Sequence, residues 1–179
     1  MDSRAWQRAG MVVALATAMT TLSAAPPASA DVAAHVTAYE HFDYVPGPGG
    51  GLVLDFGYTP RNISVPHGST VRWTSESGQH TVTVAADKTV PKTIDEIFGC
   101  FAPGALCDTT LAAHDPGNDQ KPPFNKAVNV GRTGLNQQGD SRLFDPKHPT
   151  VATVTAPAGA KLHYICVIHP WMQATINVT

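Results

Sequence analysis

The chain has 179 residues, 15% of them charged, and a formal net charge of −2 at pH 7. That balance, with no basic run, excludes the electrostatic footprint of a nucleic-acid binder. Fifteen glycines and fifteen prolines among sparse charges favour turns and short strands over long helices, and the length suits one domain.

Arg4 and Arg8 precede an apolar stretch from Met11 to Ala18, which runs on through Leu22 to Ala28-Ser29-Ala30. A positive start, a short apolar core and an Ala-x-Ala ending read as a signal peptide over residues 1–30, cleaved after Ala30. The apolar core is too short and too rich in Thr and Ser to span a bilayer, and no later segment is long enough to do so. The residue directly after the cleavage site is Asp31 and not Cys, which argues against a lipid anchor. The expectation is an exported protein, secreted or periplasmic, whose residues 31–179 form one domain in an oxidising compartment.

Val32 to Tyr44 reads as a first strand and Pro46 to Gly51 as a flexible turn. Leu52 to Phe56 follows. Arg61 to Val65 alternates polar and apolar residues, as a half-buried strand does. Pro66-His67-Gly68 turns the chain, and Thr70 to Thr74 alternates again with Val71 and Trp73 on one face. Ser75 to Gly78 is the next turn. Beyond it His80, Val82 and Val84 share a face, since side chains two apart on a strand point the same way. His80 thus points inward at the end of an apolar stripe. Alone, it reads as a satisfied core histidine.

Residues 86–149 carry no long periodic segment and read as a long, largely irregular insertion. Thr93-Ile94-Asp95-Glu96 has the form of a capping box opening a short helix through Phe98. Cys100 and Cys107 flank Phe101 to Leu106, and residues 115–123 are a loop. A structureless stretch this long in a compact domain is usually functional or partly disordered.

After the insertion, Thr150 to Thr155 alternates and Pro157-Ala158-Gly159 turns. Leu162, Tyr164 and Cys166 then share one strand face, with His163 and Ile165 on the other. Ala174 to Val178 is the last strand. Strands separated by turns at short, regular spacing predict an all-β sandwich.

The chemistry lies between these last two strands. Cys166, His169 and Met172 follow one another with two residues between each pair. Taken singly, a Cys in an apolar strand is a small hydrophobe and a Met is core filler. Together, thiolate, imidazole and thioether are donors for copper and not for magnesium or calcium, which want oxygen. A second imidazole from a different strand would complete a His2Cys set with a weak axial Met, the ligand set of a blue-copper site. His80 is the candidate.

The run Cys166-x2-His169-Pro170-x-Met172 resembles the cupredoxins, with the plastocyanin- and amicyanin-like ligand loop. Gly68 to Trp73 followed by Gly78-Gln79-His80-Thr81-Val82 is similar to the strand pair that carries their first His. The resemblance covers roughly residues 52–85 and 128–179. It implies a cupredoxin-type Greek-key β-sandwich with one copper ion at one end, cycling between Cu(II) and Cu(I), held by His80, Cys166, His169 and Met172. It also implies an apolar ring around the loop histidine, drawn here from Trp171, Ile168 and Leu135, with the segment 129–144 bringing the turn at Leu135 to the copper end.

The function implied is one-electron transfer between redox protein partners by a monomer. The alternative is copper binding for trafficking, storage or delivery to an exported enzyme. An enzyme is not expected, because the His-x-His pairs of a multicopper oxidase are missing and the length holds only one such domain. The absence of a Met-rich run favours the carrier over the trafficking protein. Three cysteines in an exported chain leave one over. With Cys166 assigned to copper, Cys100 and Cys107 are expected to form a disulfide, the alternative being that one of them binds metal. The scattered His35, His41, His67, His114, His148 and His163 leave open a second metal site.

Overall fold

A computed structural model describes residues 31–179. The predicted signal peptide, residues 1–30, lies outside the described residues. In chain order the elements are β1 (Val32–Val45), β2 (Gly51–Thr59), β3 (Asn62–Val65), β4 (Thr70–Ser75), β5 (His80–Ala85), α1 (Ile94–Gly99), α2 (Leu106–His114), β6 (Ala127–Val128), β7 (Ser141–Phe144), β8 (Thr150–Thr153), β9 (Lys161–Ile165) and β10 (Gln173–Val178). Four strands form one sheet in the order β2-β1-β4-β8, and six form the other in the order β3-β10-β9-β5-β7-β6. The β1/β4 and β10/β3 pairs are parallel, and the rest are antiparallel.

Period-two alternation makes the sandwich. Val36, Ala38, Tyr58, Val71, Trp73 and Ala152 face inward from the first sheet. They meet Ile63, Val65, Val82, Val84, Phe144, Leu162, Tyr164, Cys166, Ala174 and Ile176 from the second. The expected all-β sandwich with an insertion is therefore present, and the inward faces read from the sequence for β4, β5 and β9 are the observed ones.

The insertion holds more structure than its sequence suggests. The Thr93 capping box forms as expected, with the Thr93 side chain accepting from Glu96 N–H and the Glu96 carboxylate accepting from Thr93 N–H. Helix α2 was not expected. Its N-cap is Ala105, whose side chain makes no capping bond, so the start signal is missing. Strand β7 was hidden for a different reason: all four of its residues are buried, so alternation is lost.

These helices cover the outer face of the six-stranded sheet. Cys100, Leu106 and Cys107 pack against Ala85, Ile165 and Val167 in a second, smaller apolar cluster. A disulfide joins Cys100 to Cys107. Beneath α2 runs a buried polar chain. His114 Nε2 contacts Ser141 Oγ at 2.8 Å, which contacts Thr83 Oγ1 at 2.8 Å. Thr83 Oγ1 donates to Thr81 Oγ1 at 2.9 Å, and Thr81 Oγ1 accepts from Val167 N–H at 2.9 Å. Polar groups inside an otherwise apolar interface must be paired, and here each hands on to the next.

The disulfide closes a short loop within this covering layer. Replacing Cys100 and Cys107 together by Ser should lower the unfolding free energy by about 2–3 kcal/mol, the chain-entropy cost of reopening that loop. The midpoint and slope of a urea transition measure it. Thiol titration of the denatured, unreduced protein should find one reactive thiol, that of Cys166; three would contradict the pairing.

Candidate metal centre

Two strands and one tight turn bring the donor atoms together. The turn before β5 needs a left-handed residue, and Gly78, at φ +67°, supplies it. His80 then opens β5 fully buried, opposite Phe144 of β7. Its Nε2–H donates to the Ser77 carbonyl at 2.9 Å. That bond fixes the tautomer and turns Nδ1 toward the Cys166 sulfur, 3.8 Å away.

Cys166 follows β9 directly and is fully buried. Its N–H donates to the Met172 carbonyl at 3.0 Å, and Met172 N–H donates to the His169 carbonyl at 2.8 Å. Residues 166–172 are thus tied into one closed turn, stiffened by the fixed φ of Pro170. The turn places His169 Nδ1 3.9 Å from Cys166 Sγ. The donor atoms of His80, Cys166 and His169 all lie within 4.8 Å of one another. Met172, the fourth residue expected there, is fully buried in the same core cluster. Among the described residues no second group of three such side chains converges, and the other histidines stand apart.

Thr81 anchors the thiol. Its N–H points at Cys166 Sγ at 3.4 Å, its hydroxyl accepts from Val167 N–H, and its carbonyl accepts a short hydrogen bond from the Tyr58 hydroxyl. Burial pushes the Cys166 thiol above its usual range, partly offset by N–H donors from Thr81, His169 and Ile168. Burial likewise lowers His80, against the raising effect of the Ser77 carbonyl. His169 is lowered by burial and then by His80, while Glu40 raises it. Two neutral imidazoles and one proton-bearing thiol are a set that a soft cation can occupy by displacing a single proton. The residues therefore fit copper.

His169 alone of the three shows an edge to solvent, its side chain being 20% exposed. Phe56 meets it edge-on at 5.4 Å and Trp171 lies at 5.4 Å, with Phe56 and Trp171 5.9 Å apart. Trp171 is 41% exposed. Leu135 does not belong to this ring. It is fully buried and bridges Val154, whose N–H donates to Ser69 just before β4 begins. That is the far end of the sandwich, because His80 lies beyond the other end of β4. Phe56 takes the place expected for Leu135.

Sequence reasoning missed Phe56, Thr81 and Glu40. Glu40 Oε1 lies 3.3 Å from His80 Nε2 and 3.7 Å from His169 Nδ1. A signal existed: on β1 Glu40 continues the inward series Val36, Ala38, where a charge is out of place.

No family model matches the chain, and no curated protein matches it. The solved structures it is similar to include cupredoxins. A purple cupredoxin from Nitrosopumilus maritimus is 16% identical over 82% of this chain and 99% of its own, at a TM-score of 0.39. Plastocyanin from Dryopteris crassirhizoma is 17% identical over 81% and 99%, at 0.39. Auracyanin from Roseiflexus castenholzii is 17% identical over 84% and 98%, at 0.43. At such identities and scores, the chemistry of the site rests on this chain's own side chains.

Proposed function

We propose that the chain is a cupredoxin, an exported mononuclear type 1 copper protein that passes single electrons between redox partners. The observation that carries this reading is the convergence of Cys166 Sγ with the His80 and His169 nitrogens in one closed, buried turn. Copper supplies a one-electron couple whose two states differ in preferred geometry and softness. The chain supplies a fixed frame that lets neither state have its own way. His80 is held by the Ser77 carbonyl, Cys166 by Thr81 and by the main chain of Met172, and His169 by Phe56 and Trp171. Met172 would supply the thioether donor in this reading, buried where water cannot replace it.

The disulfide supports export, since such bonds persist in oxidising compartments. Among the described residues no helix is long and apolar enough to cross a membrane. The exposed His169 edge is the route for the electron, because His80 and Cys166 are enclosed. Around that edge the surface is aromatic. Phe42 packs on Phe56 at 5.0 Å and continues the ring onto the β1–β2 hairpin. Docking through such a surface rests on apolar contact, with little electrostatic steering.

One equivalent of Cu(II) should produce an intense thiolate-to-copper charge-transfer band, and Cys166→Ala should abolish it while the apo fold persists by circular dichroism. A band that survives in Cys166→Ala would refute the site.

Trp171→Glu should leave that spectrum intact and slow electron self-exchange at least tenfold. In the wild type the rate should change little between low and physiological salt. Slow exchange in the wild type, with ready release of Cu(I) to a chelator, would favour copper delivery instead.

A further inference from the structure

We propose that Glu40 is a positioning and charge-setting residue of the copper centre. It braces the His80 imidazole from outside the ligand set and lowers the reduction potential. This inference rests on the copper reading above.

Three independent features of the fold aim this carboxylate at the site. The first is strand register. On β1 the inward series runs Val36, Ala38, Glu40, and the first two are fully buried in the core. Glu40 is therefore delivered to the end of the sandwich by the same alternation that builds the core. The second is the pair of imidazoles. Oε1 lies 3.3 Å from His80 Nε2 and 3.7 Å from His169 Nδ1, and the Glu40 side chain is only 13% exposed. The third is a glycine cradle. A Cβ at Gly78 would lie 2.6 Å from Oε1 and 2.9 Å from Oε2, so the carboxylate rests against the turn before His80 in space that a side chain at residue 78 would take. The main chain ties the same turn to β1, with Glu76 N–H donating to the Ala38 carbonyl at 3.0 Å.

Glu40 stands beside the ligands and not among them. The donor atoms that converge mutually are those of His80, Cys166 and His169, without a Glu40 oxygen. Its effect is through charge. Cu(II) with one thiolate carries +1, and Cu(I) with the same thiolate is neutral. The carboxylate brings these to 0 and −1. A negative charge a few ångströms away, mostly shielded from water, favours the more positive, oxidised state. One-electron reduction by the redox partner makes and breaks no bond in the protein, so this bias appears directly in the couple. By contacting His80 at Nε2, the nitrogen turned away from the sulfur, Glu40 also restricts the rotation of that ring, as partners beyond the ligand set do at metal centres.

The test is Glu40→Gln, which keeps size and removes charge, with Glu40→Asp as the conservative variant. Glu76→Gln, on the exposed side of the same turn, is the control. Wild type and variants are loaded with Cu(II). Spectra, midpoint potentials and the separate Cu(I) and Cu(II) affinities against chelators are then measured. Glu40→Gln should keep the charge-transfer band. Its ratio of Cu(I) to Cu(II) affinity should rise about tenfold, equivalent to about 59 mV in a one-electron couple. Glu40→Asp should restore most of the wild-type potential, and Glu76→Gln should not move it. An unchanged potential in Glu40→Gln would overturn the proposal, as would equal shifts in the Gln and Asp variants. Loss of the charge-transfer band in Glu40→Gln alone would also overturn it, by making Glu40 a ligand. A wild type that shows no such band fails the copper reading itself, which is a separate result.

Discussion

Everything at this end of the sandwich depends on how Cys166 is held. Its sulfur is buried at the mouth of the core, where a thiol is stable and a thiolate is not. The chain counters that with N–H groups from Thr81 and from the turn itself, all directed at the sulfur. Neither influence alone makes a copper ligand. A deeply buried thiol without donors would resist deprotonation, and an exposed thiolate would react with oxidants and other thiols. Burial with oriented donors keeps the sulfur protected until a cation replaces its proton.

The insertion becomes intelligible from the same point. Cys166 and Val167 lie between two layers, the sandwich core on one side and the α1–α2 cover on the other. Ile165 and Val167 anchor the cover, while Tyr164 and Cys166 anchor the core. Consecutive residues of the ligand segment are thus clamped from opposite faces. The polar chain from His114 through Ser141, Thr83 and Thr81 ends on Val167 N–H, one peptide from the ligand. The disulfide restrains the cover, and the cover restrains the strand. In the proposed copper protein, a ligand turn free to flex would let each oxidation state choose its own geometry, and electron transfer would then carry the cost of rearrangement.

The proposed copper ligands were legible because ligation demands particular atoms. Thiolate, imidazole and thioether at a fixed spacing have few other uses in combination, and the alternation of β5 and β9 showed which way His80 and Cys166 point. What surrounds them was less legible because packing tolerates many solutions. Leu135 was assigned to the copper end by resemblance alone, and the backbone pairing with Val154 takes it to the other end. Helix α2 lacks a capping side chain, and β7 is buried on both faces, so neither has the periodic signature of an exposed element. Phe56 and Glu40 could be named only once β1 and β2 were in register, since that pairing sets them opposite each other.

That pairing also explains why one strand serves three environments. The inward face of β1 passes Val36 and Ala38 in the dry core, Glu40 against the imidazoles, and then Phe42 and Tyr44 beyond the end of the sandwich. Phe42 is set opposite Leu54, and Tyr44 opposite Leu52, so the apolar stripe continues along the hairpin after its covering sheet has stopped. The opposite face of the hairpin carries His41, Asp43 and Asp55 along with Val45 and Val53, and is the more polar of the two. An exposed hairpin needs only one water-compatible face to remain soluble. Its other face is free to stay apolar beside the His169 edge, the kind of surface from which a docking protein would displace water. The two sides of that boundary therefore differ in one physical respect, the presence of a second sheet. The strand that sets Glu40 against the two imidazoles also builds the apolar surface beside the His169 edge.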